Sequence, residues 1–179
     1  ATIAPVIDGR DDDTAWKDAV AIEDFVTYKA LRPASQPTSV RIMHDDKNLY
    51  VLFHNTEPLL KTADMRGSEM KTLATTRDGD VVNGKLLHDV LGDDSCMIML
   101  QPRADGPVYE FDVNAKGVMA DAKLERNNLW ATRDLSWNSN FKAAVRQGDG
   151  FWILEMAIPL ADIGATAPQA GEAWPSSIL

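Results

Sequence analysis

Cysteine is scarce in this chain: Cys96 is the only one among 179 residues. A single cysteine excludes an intrachain disulfide and any metal site built from several cysteines. The residue lies in the apolar run Cys96-Met97-Ile98-Met99-Leu100, and free cysteine is among the most buried residue types. We therefore expect a buried, unreactive thiol. The missing disulfide leans only slightly towards the cytosol, so the compartment stays open on this ground.

Long apolar runs and positive charge are also lacking. No segment approaches the roughly 20 apolar residues that span a bilayer, and the N-terminal Ala1-Thr2-Ile3 lacks the basic start of a secretion signal. We expect no membrane insertion. Because 27 acidic residues outweigh 18 basic ones and give a net charge of −9, the chain repels phosphate backbones, and nucleic acid is not expected as a partner.

The common catalytic motifs are absent as well. His44, His54 and His88 lack the spacing of a His-Glu-x-x-His zinc site, and the chain has no Gly-x-Ser-x-Gly elbow or glycine-rich phosphate loop. Acidic residues can pair as in a glycosidase, but any acidic protein offers such pairs. Without an assembled set of catalytic roles, we predict a protein that binds rather than catalyses.

Alternating apolar and polar residues are what the chain does have. The alternation occurs in three pairs of segments separated by turn residues, which predicts three β-hairpins. They cover Val40 to Phe53, Ser95 to Asn114 and Phe141 to Ile158. Three hairpins indicate an all-β fold, an antiparallel β-sandwich of two packed sheets. A length of 179 residues suits a single domain over 1–179.

The remaining segments give weaker patterns. Asp13 to Asp18 and Pro159 to Ile163 predict one or two short helical turns, the second with Gly164 as its stop. Lys61 to Asp89 has little periodicity, which predicts a long excursion between strands. The final residues, from Trp174 to Leu179, show no strand pattern, so we predict no final strand and expect a fragment of a longer protein.

Several short motifs occur together in one order along nearly the whole chain. They are Pro5-Val6-Ile7-Asp8-Gly9-Arg10 with Asp13 and Ala15-Trp16; Val40-Arg41-Ile42 with Asp45 to Val51; Asp93-Asp94-Ser95; Tyr109 to Asn114 with Gly117; Ser136-Trp137; and Trp152 to Pro159. In this order the motifs resemble the family 9 carbohydrate-binding modules and related DOMON-like domains.

The resemblance implies two antiparallel sheets packed face to face, often with bound calcium. It also implies a secreted or periplasmic module that adjoins other domains of a larger protein, such as a polysaccharide-degrading enzyme. Sugar-binding members carry tryptophan, glutamate, arginine and asparagine at four positions, which in this chain are Leu91, Met97, Asp112 and Asn114. Because three of the four differ, we do not expect the usual clamp on a reducing-end sugar.

Alternation on the second predicted hairpin defines a face that would meet a ligand. If the strands pair, one face carries Met97, Met99, Glu110, Asp112 and Asn114, and the other carries Cys96, Ile98, Leu100, Tyr109, Phe111 and Val113. Sugar recognition also needs a flat aromatic ring, which Trp130 or Trp137 would supply. The alternative is that Met97 and Met99 belong to the core, beneath the Lys61 to Asp89 excursion.

Carboxylates also gather in the predicted loops. Oxygen ligands in irregular loops suit calcium, which takes six to eight of them. Glu57 and Asp94, each at a strand end, together with Asp93, are the predicted ligands of a structural calcium ion. The alternative is a charged, solvated surface loop.

Three functions remain open at this stage. The first is a non-catalytic carbohydrate-binding module with an unknown glycan. The second is a module for haem or another small ligand, since His88, Met97 and Met99 lie near one another in the sequence. The third is a structural spacer domain of a larger secreted protein.

Overall fold

The computed structural model describes residues 3–27, 31–34, 36–58, 77–82, 85–88, 90–127 and 130–179. Twelve strands occur in these residues, with short 3-10 turns at Thr14–Asp18, Val90–Gly92 and Leu160–Ile163. The strands are β1 (Ala21–Ile22), β2 (Thr38–His44), β3 (Asn48–Thr56), β4 (Asp80–Val82), β5 (Lys85–His88), β6 (Ser95–Leu100), β7 (Val108–Asn114), β8 (Met119–Asn127), β9 (Trp130–Asp134), β10 (Lys142–Gly148), β11 (Phe151–Pro159) and β12 (Ser176–Ile178).

Ten of these strands form two antiparallel sheets. The first sheet has the order β1-β2-β3-β11-β10, and the second has the order β12-β6-β7-β8-β9. Strands β4 and β5 pair with each other. The predicted sandwich is therefore confirmed, and so are the three hairpins, which are β2–β3, β6–β7 and β10–β11. No helix among the described residues has the length and apolarity needed to cross a membrane.

The main core lies between the two sheets. Phe53 and Leu154 come from the first sheet, and Ile98, Phe111 and Val113 come from the second; each is at most 1% exposed. Burying one such side chain contributes about 1.5–3 kcal/mol to stability. The alternation predicted for β6 and β7 is confirmed, because the six residues predicted to lie opposite the ligand face all pack in this core.

A second core lies on the outer side of the first sheet. Residues 5–19, called here the N-terminal segment, place Trp16 over Tyr50 and Leu52 of β3 and Ile153 of β11. This cover explains why β3 is apolar on both faces. Glu155 of β11 anchors the segment from beneath: its carboxylate accepts the Trp16 Nε1–H at 2.8 Å and backbone N–H groups at the start of the segment.

Gly9 allows the N-terminal segment to lie directly on β10. A Cβ at this position would come within 2.9 Å of the Arg146 nitrogen and 3.0 Å of the Val145 carbonyl carbon, and its φ is +81°. Gly150 has a φ of +80° but no atom within 4 Å of such a Cβ. Substituting alanine at each of these two glycines therefore distinguishes the cost of steric crowding from the cost of an unfavourable φ.

We expect Gly9→Ala to lower the free energy of unfolding by about 3 kcal/mol, since it adds a backbone clash to an unfavourable φ. Gly150→Ala should cost about 1 kcal/mol, since it has only the unfavourable φ. Urea denaturation of the two variants measures the difference. Equal costs would mean that the segment does not lie against β10 as closely as the structure places it.

Two sequence predictions about the ends of elements were wrong. A final strand does exist: β12 pairs with β6, with Ser177 opposite Met99, and the ladder continues through hydrogen bonds between Leu179 and Met97. With three residues and one apolar side chain, β12 is too short to show an alternating pattern. The predicted excursion also contains the β4–β5 hairpin, while its residues 61–76 lie outside the described part of the chain.

Candidate functional site

The predicted ligand face has the expected register but is closed. Met97 lies opposite Asp112, and Met99 lies opposite Glu110, as the alternation predicts. Met97 is 5% exposed, Glu110 1% and Asp112 0%. This burial favours the alternative in which Met97 is a core residue. A ligand role for Met97, Glu110 and Asp112 stays a prediction. A ligand would have to displace neighbouring groups to reach these buried side chains.

An ion pair that sequence reasoning missed crosses this face. Arg133 of β9 donates to the Glu110 carboxylate of β7. Between them lies β8, whose Ala122 is the direct partner of Glu110. Because alanine is short, the arginine side chain can pass over it and neutralise a buried carboxylate. The pairing depends on the register of three strands, which the sequence does not display.

Asn114 is committed to a turn at the end of β7. Its Oδ1 accepts the N–H groups of Lys116 at 3.0 Å and Val118 at 2.9 Å, and its Nδ2 donates to the Asp93 carboxylate at 2.9 Å. Asn114 is 0% exposed. Its geometry therefore explains the asparagine as a structural residue, and its predicted ligand contact is untested.

The structure corrects the predicted role of Trp137. Its ring packs against Tyr109 at 5.1 Å and Phe111 at 6.0 Å between centroids. Tyr109 and Phe111 point to the core side of the second sheet. Trp137 therefore lies on the side opposite Glu110 and Asp112, because the loop after β9 turns towards the core, and it does not supply a ring to that face. The side chain of Trp130 lies outside the described part.

His88 bears on the haem hypothesis. It belongs to β5 and is paired with Asp80 of β4, but its side chain is outside the described part of the chain. Met97 and Met99 do share one face of β6, and Met97 is buried. Haem binding and ligand binding by His88 therefore stay predictions.

The predicted calcium ligands are divided between two places. Asp93 accepts a hydrogen bond from Asn114, whereas Glu57 and Asp94 line a common cleft. Among the described residues, no group of three or more acidic, histidine or cysteine side chains comes close enough to hold a metal ion. A calcium site there would need further oxygen ligands, such as carbonyl groups or water, so calcium binding also stays a prediction.

The cleft that contains Glu57 and Asp94 opens between the edges of the two sheets. We call it the edge cleft. It has a volume of about 510 Å3, and no lysine, arginine or histidine is among the described residues that line it. Its wall includes Phe25, Phe53, Trp152 and Ile178, and its polar groups include Gln36 and Asn55.

Hydrogen bonds fix several polar groups of the edge cleft. The Gln36 amide donates to both carboxylate oxygens of Glu57, at 3.2 and 3.0 Å. Deeper in the cleft, the Asn55 amide donates to Cys96 Sγ at 3.3 Å and accepts from the Thr38 hydroxyl at 3.0 Å. Burial raises the pKa of the Cys96 thiol far above its usual range, which agrees with the buried cysteine that we expected.

A second, more polar depression lies on the outer face of the first sheet. We call it the outer groove; its volume is about 430 Å3. Ionisable side chains from four parts of the chain line it, namely Asp11, Glu23, Arg41 and His54. His54 Nδ1 lies 3.0 Å from the Asp11 carboxylate, and its ring lies 5.3 Å from that of Phe151.

Comparison with solved structures shows where this fold occurs. A family 9 carbohydrate-binding module from Caldicellulosiruptor kristjanssonii, solved with cellotriose and with glucose, matches with a TM-score of 0.60 and 18% identity. The match covers 98% of this chain and 71–72% of that one. At this identity the likeness shows the fold alone.

A protein from Bacteroides uniformis that is provisionally named as carbohydrate-binding also matches. Its TM-score is 0.57 and its identity 17%, over 84% of this chain. The match spans 65% of the length of that protein. No curated protein matches the chain. The family model described as carbohydrate family 9 binding domain-like matches residues 7–174, and the chain therefore belongs to that family, as its motifs predicted.

Proposed function

We propose that the chain is a non-catalytic carbohydrate-binding module whose glycan binds in the edge cleft. One observation carries the proposal. The edge cleft joins apolar walls to hydrogen-bonding groups in an open space of suitable size, whereas the predicted ligand face is closed. Ligand sites commonly have volumes of about 300–1,000 Å3 and combine apolar walls with a few polar groups.

The chemistry of the edge cleft suits a neutral sugar. Phe25, which is half-buried, offers apolar surface to the C–H groups of a sugar ring. The carboxylates of Glu57 and Asp94 and the amide of Gln36 accept from or donate to hydroxyl groups. With acidic and no basic side chains among its described lining residues, the cleft repels anionic sugars.

Family membership and the relatives support the choice of probes. The family 9 module from Caldicellulosiruptor kristjanssonii was solved with cellotriose and with glucose, so neutral glucans are the first candidates here. Membership also supports a module that acts outside the cytoplasm beside other domains. The binding experiment should also test calcium, because two of the predicted calcium ligands line the edge cleft.

Calorimetric titration with cellotriose, preceded by a glycan array, tests the proposal. We expect Asp94→Asn to weaken glycan binding about tenfold, the loss expected from one hydrogen bond to a charged group. Asp105→Asn, in the exposed loop between β6 and β7, is the matched control and should bind as the unmodified protein does. The titrations are repeated with a chelator, which shows whether Asp94 acts through calcium.

Failure to bind any glycan on the array would contradict the proposed function. Binding that is unchanged by Asp94→Asn would place the glycan elsewhere on the module. If the chelator alone reproduces the effect of Asp94→Asn, the carboxylate acts as a metal ligand, and the calcium prediction gains direct support.

A further inference from the structure

The outer groove exists because the N-terminal segment covers only part of the first sheet. The segment packs over Tyr50 and Leu52 of β3, and alternation places His54 on the same outward face farther along the strand. Beyond Asp11, which contacts His54, the described residues leave the outer groove on this face. Strand β2 adds Arg41, whose register partner is Leu52 and which therefore lies diagonally beside His54.

Arg41 has no ion-pair or hydrogen-bond partner among the described residues, although it is half-buried. This is unexpected in a chain with 27 acidic and 18 basic residues. Two acids line the same groove, yet Asp11 is engaged by His54, and Glu23 forms no ion pair with Arg41 in the structure. A guanidinium offers a planar fork of donors that matches a carboxylate, so Arg41 remains available to one from outside.

The other residues that line the outer groove indicate which class of ligand it suits. Asp11 and Glu23 repel a densely charged partner such as a phosphate-bearing chain, so a single carboxylate suits the groove better than several. Hydroxyl groups of Ser39 and Thr56 also line it, and the ring of His54 is held by Asp11 and Phe151. These groups are suited to hydrogen bonds with the hydroxyls of a sugar.

We propose that the outer groove binds a uronic acid unit of an acidic oligosaccharide, with Arg41 pairing its carboxylate. The outer groove adjoins the edge cleft, with which it shares Thr38 and Thr56, but the acidic lining of the edge cleft disfavours the same ligand. The inference therefore goes beyond the proposed function, and each of the two fails or succeeds without the other.

Titration of the folded chain with trigalacturonate, its methyl ester and cellotriose tests this proposal. We expect the acid to bind roughly tenfold or more tightly than the ester, because the ester removes the charge that Arg41 pairs. Added salt should weaken binding of the acid and leave binding of cellotriose unchanged. Asp94→Asn should weaken binding of cellotriose and not of trigalacturonate, since Asp94 lines the edge cleft and not the outer groove.

Substitutions of Arg41 test whether this residue pairs with the sugar carboxylate. Arg41→Gln should lose most of the preference for the acid over the ester, and Arg41→Lys should keep part of it, since lysine retains the charge without the fork. Arg103→Gln makes the same change of charge in the exposed β6–β7 loop and should retain the full preference. Thermal melting confirms that each variant is folded.

Two results would overturn the proposal. One is equal binding of acid and ester, or a preference that Arg41→Gln and Arg103→Gln reduce alike, which would show non-specific attraction. The other is displacement of trigalacturonate by acetate at similar concentrations, which would reveal a site for simple carboxylates rather than for a sugar.

Discussion

Replacing Glu155 with glutamine is expected to lower the free energy of unfolding by about 2–4 kcal/mol. The Glu155 carboxylate is 0% exposed. One oxygen accepts the backbone N–H groups of Asp8, Gly9 and Arg10 at 2.9, 2.8 and 3.3 Å, and the other accepts the Trp16 Nε1–H at 2.8 Å. Burial raises the pKa of Glu155, and these hydrogen bonds oppose the rise.

Glutamine has one acceptor oxygen instead of two. If that oxygen serves the three backbone groups, the new NH2 group faces the Trp16 donor, and two donors then meet without an acceptor. A Trp16→Phe background removes this conflict. The cost of Glu155→Gln should therefore be smaller there, with a coupling energy above about 1 kcal/mol in the double-mutant cycle.

Urea denaturation of the four proteins in the cycle measures these energies, and hydrogen exchange of the residue 8–10 amides reports the loss locally. Glu125→Gln, at an exposed position on β8, is the control and should stay within about 0.5 kcal/mol of the unmodified protein. Additive costs for Trp16→Phe and Glu155→Gln would contradict a direct role for the Trp16 hydrogen bond.

The hairpins could be predicted from the sequence because alternation of side chains and turn residues are both local signals. Strand β7 has the predicted bounds, and β6 ends at Leu100, one residue before the predicted end at Gln101. Each strand alternates residue by residue, and a loop with Pro102, Gly106 and Pro107 cannot continue a ladder. The residues of β3 are apolar on both faces, a pattern typical of a central strand. Its apolar residues on both faces require two covers, and the structure supplies them as the second sheet and the N-terminal segment.

Strands with small or polar residues were not visible in the same way. On β8, the outward residues include Ala120 and Ala122, and alanine has little preference for strands. Strand β12 is three residues long and has one apolar residue, Ile178, so it is too short to show an alternating pattern. These strands form because a neighbouring strand offers main-chain hydrogen-bonding groups, and their own side chains give little indication of them.

The site was harder to predict than the fold. Alternation assigned Glu110 and Asp112 to the correct face, but it does not show whether a face is open. The pair of Glu110 with Arg133 depends on residues from β7 and β9 meeting over Ala122, which is a matter of register. The side on which Trp137 packs depends on the path of a loop, and loop paths are not periodic.

Replacing Asp121 with asparagine is the second change for which we expect a large effect. Asp121 is 0% exposed on β8. One of its oxygens accepts from the Arg77 guanidinium at 2.7 Å, and the other accepts from the backbone N–H of Ser139. The same guanidinium donates to the Ser139 carbonyl at 3.2 Å and lies 5.2 Å from the centre of the Phe141 ring.

Asp121 therefore ties two loop segments to the edge of the core. Asparagine keeps the shape but leaves one donor facing an NH2 group and removes the negative charge that Arg77 pairs. We expect the free energy of unfolding to fall by about 3 kcal/mol, the cost typical of breaking a buried ion pair. Arg77→Gln should cost less, because Arg77 is 35% exposed and water replaces part of what is lost.

Chemical denaturation of Asp121→Asn, Arg77→Gln and the double variant measures the coupling between the two residues. Asp105→Asn makes the same chemical change in an exposed loop and should have almost no effect. Fluorescence of Trp137, which packs on Phe111 beside Phe141, should shift in Asp121→Asn if the loop at Ser139 is released. A loss of stability without that shift would mean that Asp121 acts through Arg77 alone.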